Sequence, residues 1–275
     1  MWTRKFLKDN AKEFLRRYLK DAIVVCLIFY LLSSLFGSDN SFDNMRVYTM
    51  DEFKKEYRQE EGREYNIQVF KGPFIYSKNI FGDGFWMSKS PFTEQKLVVS
   101  DQMFFVLSLI SLLVNIFVLG PLKVGLNKYF IKGYKYDSNI KYLISPFAEG
   151  KSLKISGKIV LKNIYIVLWS LLLVIPGIIK GYEYYFVEYI FAENPDMSLE
   201  DAINLSKELT KDDKFNIFIL EFSFIGWAFL SALTFNLGFI LLNPYMEATR
   251  ASLYIVKKKA FQDMQDNMGS SDFDK

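Results

Sequence analysis

Apolar residues in this chain gather into long runs instead of recurring at the period of an amphipathic helix or a half-buried strand, and such clumping points to lipid as the surrounding solvent. A hydrocarbon core of ~30 Å takes ~20 mostly apolar helical residues. Apolar runs at 21–36, 101–120, 159–175, 178–192, 214–233 and 239–256 predict an all-α polytopic membrane protein with six transmembrane helices in three hairpins. Pro176-Gly177 separates the third crossing from the fourth. Read as one helix, that stretch would measure ~50 Å, well beyond the hydrocarbon core, so a tight hairpin is predicted over 159–193. The short turn from Thr234 to Gly238 joins the last two crossings over 214–256.

The segments between these runs carry their own patterns. In 1–20, Trp2, Phe6, Leu7, Phe14, Leu15, Tyr18 and Leu19 form one stripe, with Arg4, Lys5, Lys8, Lys12, Arg16 and Arg17 around the rest. That predicts an interfacial amphipathic helix lying on anionic headgroups, the alternative being a helix packed on protein. A secretory signal fits less well, because the apolar core from Ala22 to Phe36 runs into SLFGSDNS with no small-x-small cleavage pattern. Residues 37–100 predict a small extracytoplasmic α/β lobe. There DEFKKEYRQEEGREY can form a short helix, and Lys71-Gly72-Pro73 and Gly82-Asp83-Gly84 punctuate β-branched and aromatic residues as a hairpin or small sheet would.

Residues 121–158 read as a basic cytoplasmic loop, part of a lysine-rich stretch from Lys123 to Lys162 that only Asp137 and Glu149 oppose. In 194–213, Ser198 as N-cap with Asp201 three residues on, and Leu199, Ala202, Ile203 and Leu209 on one face, predict an amphipathic cytoplasmic helix. The polar tail 257–275 is expected to be disordered. Six crossings put both termini on the basic side, which gives a multi-pass plasma-membrane protein with cytoplasmic N- and C-termini. A repeat is faintly visible, since Pro121, Gly125 and Tyr129 parallel Pro244, Ala248 and Tyr254, but such residues are common in membrane helices anyway.

Charge and composition then narrow the chemistry. A net charge of +3, with basic residues lying between apolar runs instead of along one face, argues against nucleic acid as a partner. The lipid bilayer, anionic headgroups at the N-terminal helix and basic loop, and a membrane-protein partner are the expected ones. Histidine is absent, which removes Ser/His and Cys/His nucleophile systems and His-containing zinc sites. Cys26 is the one cysteine, so no disulfide forms within the chain. With no Asp/Glu cluster at ligand spacing, the expectation is no metal, no cofactor and no catalytic residues; a carboxylate membrane enzyme is the least favoured reading.

The candidate site residues are the charges within apolar runs. Counted from the cytoplasmic ends of their helices, Glu188, Glu221 and Arg250 fall ~10 Å deep and Glu247 a turn further in. A charge at mid-membrane costs ~2.5–3.5 kcal/mol on insertion scales, so pairing is expected. One arrangement is a polar cluster in the inner half of the bundle, Arg250 pairing with Glu188 or Glu221, open to a cation, a proton or a lipid headgroup. The other is a local Glu247–Arg250 pair, with Glu188 and Glu221 snorkelling or hydrogen-bonded to tyrosines such as Tyr184, Tyr185 and Tyr189. Glu183 is expected to pair with Lys180.

The run IPGIIKGYEYYFVEYIFAENPDMSLEDAINLSKELTKDDKFNIFILEFSFIGW, with LWSLLLVIPGII before it and LNPYMEATRASLY after it, closely resembles the bacterial integral-membrane family catalogued as domain of unknown function 975. GPLKVGLNKYF and ISPFAEGKS fit the same pattern, so the resemblance covers most of the chain outside 37–100 and the tail. It implies a polytopic membrane protein, common in Gram-positive bacteria, with no established activity. It also suggests a distant similarity to membrane regions attached to some glycerophosphodiester phosphodiesterases, whose soluble domain has no counterpart here. Function therefore reads as a non-enzymatic envelope scaffold or accessory subunit of a membrane complex, the alternative being a transporter or lipid-handling protein that uses the intramembrane Glu/Arg cluster.

Overall fold

The computed structural model describes residues 2–36, 45–49, 75–76, 85–88, 95–99, 101–234 and 236–271. Helices dominate: α1 (Arg4–Phe36), then after four strands α2 (Asp101–Val114), a π-helical segment (Asn115–Leu119) and α3 (Gly120–Tyr134). A 3₁₀ turn (Ile140–Ile144), α4 (Ser145–Ala148), α5 (Ser152–Leu172), α6 (Val174–Glu183) and α7 (Val187–Glu193) follow. The chain continues through α8 (Leu199–Thr210), α9 (Lys214–Phe222) and α10 (Ile225–Leu233) to α11 (Phe239–Ser271). Four helical stretches are long and apolar enough to cross a membrane: Arg4–Phe36, Ser108–Tyr134, Ser152–Leu172 and Lys214–Leu233. Leu171, Leu172, Val174 and Ile175 are each at least 70% exposed, and outward-facing residues of this kind are what lipid replaces water around.

The chain divides into two compact units, Met1–Leu31 with Ile116–Lys275, and Leu32–Asn115. In the second, strands β1 (Met45–Thr49), β2 (Ile75–Tyr76), β3 (Phe85–Ser88) and β4 (Gln95–Val99) form a sheet in the order β1-β4-β3-β2. β1 runs parallel to β4, pairing Met45 with Gln95 through Thr49 with Val99. A parallel pair needs a long crossover, which the stretch between these strands supplies. β3 is antiparallel to both β4 and β2, with Trp86 opposite Val98 and Tyr76 opposite Met87. The expected helix in DEFKKEYRQEEGREY lies outside the described residues.

In the larger unit several expected boundaries move. The interfacial helix 1–20 and the first crossing 21–36 are one helix, bent where Tyr18 leaves helical geometry at φ −125° and ψ 25°. Its stripe meets protein at Leu7 and Phe14, both buried together with Ala11, while Phe6 and Leu19 stay exposed. Phe14 packs among Tyr18, Tyr129, Phe130 and Tyr134. The second crossing does not stop at Pro121. Proline lacks an N–H and crowds the carbonyl four residues back, and here the ladder widens to a π segment at 115–119 and carries on to Tyr134. Much of the expected loop 121–158 is therefore packed helix, with Leu122, Val124, Leu126 and Tyr129 buried.

The third hairpin helix begins at Ser152, and the chain turns at the extended residue Leu173, so Pro176 sits within the first turn of α6 instead of making the bend. The run 178–192, expected as a fourth crossing, is not one helix: it breaks at Tyr184–Phe186, between α6 and α7, and is not among the four long apolar stretches. Gly177 touches Ser170 and Gly238 touches Ser231, each so closely that an added Cβ would collide with the serine's own backbone and side chain. Both hairpins thus close on a glycine seven residues after a serine. Ser198 caps α8 by accepting from the Asp201 N–H at 3.1 Å, as its spacing predicts. The tail expected to be disordered is helical to Ser271, because α11 runs straight on past Lys257 to Lys259 with good helix formers.

Candidate functional site: an ion network inside the helical bundle

Inside the larger unit two carboxylates and two cations form one connected network, and a third ion pair stands apart from it. Arg250 on α11 presents its guanidinium edge to Glu221 on α9, Nε donating to Oε1 at 2.9 Å and one terminal nitrogen to Oε2 at 2.6 Å. The other terminal nitrogen donates to Glu247 Oε1 at 3.0 Å, one helical turn back. That same Glu247 oxygen accepts from Lys123 Nζ of α3 at 2.8 Å and from the Tyr30 hydroxyl of α1 at 2.7 Å. Tyr185, from the break between α6 and α7, donates to Glu221. A planar, bidentate Arg–carboxylate pair of this kind is the strongest ion-pair geometry side chains offer.

Glu247 is the deepest of the group, with 1% of its side chain exposed. Its Oε1 takes three donors while its Oε2 has no partner among the described residues. Glu188, on α7, pairs with Lys162 of α5 at 2.6 Å. Glu188, Glu221 and Glu247 contribute three negative charges and Lys123, Lys162 and Arg250 three positive ones, so this set is balanced. Unpaired, each would carry a desolvation penalty of several kcal/mol; pairing offsets that penalty and ties the contributing helices to one another.

Both sequence-level arrangements are thus half right. Arg250 takes Glu221 and Glu247 together, and Tyr185 is the tyrosine that Glu221 uses. Glu188 belongs to a neighbouring pair instead. Tyr30, Lys123 and Lys162 were not anticipated, since both lysines read as topology signals in a basic stretch. The signal that finds the lysines is position: Lys162 lies inside an apolar helical run, and Lys123 follows one that the proline does not interrupt, and a charge so placed calls for an acid.

Ion pairs at the helix ends form a second level. Glu183 lies between Lys180 at 2.6 Å and Lys214 at 3.1 Å. Glu193 accepts from Tyr254 at 2.7 Å and pairs with Lys135 and Lys258. Asp213 accepts from the Trp2 indole at 2.9 Å, Lys257 at 2.9 Å and Asn216 at 2.7 Å. Burial alone would raise the Asp213 carboxyl, but the three donors outweigh it and hold the group below its ordinary range. A cavity of about 440 Å³ between α5, α6 and α9 is lined by Ser170, Gly177, Tyr182, Tyr185 and Glu221, so the network reaches one outer face. No three of Asp, Glu and Cys gather as metal ligands among the described residues.

Residues 1–259 match the model of the family described as protein of unknown function DUF975. No curated protein and no solved structure matches.

Proposed function

We propose that this chain, which belongs to the DUF975 family, is a six-crossing bacterial plasma-membrane protein that serves as a non-enzymatic scaffold or accessory subunit of a membrane complex. The observation that carries the reading is the balanced ion network. Among the described residues Glu188, Glu221 and Glu247 each hold a cation from another segment, so these charges clamp helices together instead of awaiting a substrate. To the four long apolar stretches the reading adds α6 with α7 as the fourth crossing and the first half of α11 as the sixth. Two of the three sets of helix-end pairs support that topology. Asp213 with Trp2 and Lys257 draws together the start of the first, the start of the fifth and the end of the sixth crossing. Glu193 with Lys135 and Lys258 does the same for the second, fourth and sixth. All these ends lie on the lysine-rich side, which the positive-inside rule makes cytoplasmic, with the strands of 37–100 outside.

One observation favours the transporter or lipid-handling alternative. The Oε2 of Glu247, enclosed and without a partner among the described residues, is where a water would be held, and Glu221, joined to Glu247 through Arg250, lines a groove at the surface. Isotope-uptake and lipid-flip assays in reconstituted vesicles separate the two. The scaffold reading expects wild type to match empty vesicles in both; flux or flipping that Glu221→Gln or Glu188→Gln abolishes would overturn it.

A further inference from the structure

The interior network leaves one side of its deepest carboxylate unaccounted for. Glu247 Oε1 takes three donors, while the enclosed Oε2 has no partner among the described residues. A second buried group is in the same condition. Asn127 of α3 is 1% exposed, and neither its Oδ1 nor its Nδ2 has a partner among the described residues. Buried polar groups are nearly always hydrogen-bonded, to protein or to ordered water, so both groups call for one account.

Helical spacing brings the two to one seam. Lys123, Asn127, Phe130 and Tyr134 lie at i, i+4, i+7 and i+11, a single stripe of α3. Members of that stripe on either side of Asn127 reach α11: Lys123 Nζ meets Glu247 at 2.8 Å, and the Tyr134 hydroxyl donates to the Ala248 carbonyl at 2.9 Å. Asn127 thus enters the α3–α11 seam one turn from Lys123, and Ala248 and Ala251, which follow Glu247 on α11, are small and fully buried. The chemistry of the unpartnered atoms selects the occupant. A cation would lie beside Lys123 and Arg250, and an anion beside the Glu247 carboxylate. The carboxylate only accepts, the amide donates and accepts, and water serves both.

We propose that this seam holds two buried waters. The first accepts from Asn127 Nδ2 and donates to Glu247 Oε2 and to the second; the second donates to Asn127 Oδ1. All three atoms are then satisfied, and Asn127 joins the interior network through water. The site goes beyond either reading above: uptake and flip assays decide between those, and neither result bears on it. The full chain in bicelles is tested by a double-mutant cycle between Asn127→Ala and Glu247→Gln. The unfolding equilibrium constant of the double variant should differ from the product of the single effects by about fivefold. The same cycle with Glu183→Gln, an acid of the helix-end pairs, should be multiplicative. A map of the wild type that resolves ordered water should show both molecules between Asn127 and Glu247. A direct bond between the amide and Glu247, a seam without water, or independent effects of Asn127→Ala and Glu247→Gln would overturn the proposal. If either variant fails to fold, the wild-type map decides alone.

Discussion

Arg250 is the residue on which the interior network depends most, because among the described residues it alone bridges Glu221 and Glu247. Removing one partner from a buried ion pair costs about 3–5 kcal/mol, since a carboxylate is left unmatched. Arg250→Gln should therefore lower the unfolding midpoint in micelles or bicelles sharply. Arg250→Lys should rescue it only in part, because an ammonium cannot make both bonds to Glu221. At the rim, Asp213 sets an acid limit. Its folded value lies below the unfolded one of about 3.9, so the stability it contributes is present above that value and is lost as pH falls through the depressed one. Thermal melting of Asp213→Asn against pH should show a shallower loss below about pH 4 than wild type. An equal slope would mean that the Trp2 and Lys257 contacts do not set acid stability. The acids of this network and Arg250 were legible in the sequence as charges in apolar runs; Lys123 and Lys162 were not, because lysine near a helix end serves topology and pairing alike.

At the scale of elements, the two hairpins share one construction. Ser170 with Gly177 and Ser231 with Gly238 let paired helices touch without side chains between them, the small-residue contact that packs helices in lipid. Gly177→Ala and Gly238→Ala should each destabilise by about 1–3 kcal/mol through overpacking, measured by the same melting assay. Gly181→Ala, where an added Cβ meets open space, is the control. The far end of α11 behaves differently. Most side chains from Phe261 to Asn267 are exposed, so truncation after Lys259 should leave the midpoint nearly unchanged while removing helical signal from circular dichroism. Hydrophobic runs located the helices well and their ends badly. Pro121 and Pro176 read as stops, yet one sits after a widened π turn and the other in a first helical turn, where proline costs little. The buried face of α1 was out of reach for a different reason: an amphipathic stripe looks the same whether protein or lipid covers it.

For the whole molecule, the larger unit is a helical bundle held at two levels, an interior ion network and a ring of ion pairs at the helix ends. The sequence pointed to membrane, to family and to five of the eight residues in the interior set; the three-dimensional pairing came only from the fold, since Tyr30, Lys123 and Glu247 are far apart along the chain. A clamp predicts that its parts are worth little alone and much together. The direct measurement is a double-mutant cycle between Glu221 and Arg250, using Glu221→Gln, Arg250→Gln and the pair, with unfolding followed in bicelles. If the network is the clamp, the double variant is less damaged than the sum of the singles by about 1–3 kcal/mol. Strict additivity of the two losses would contradict it and release both residues for a role in binding or transport.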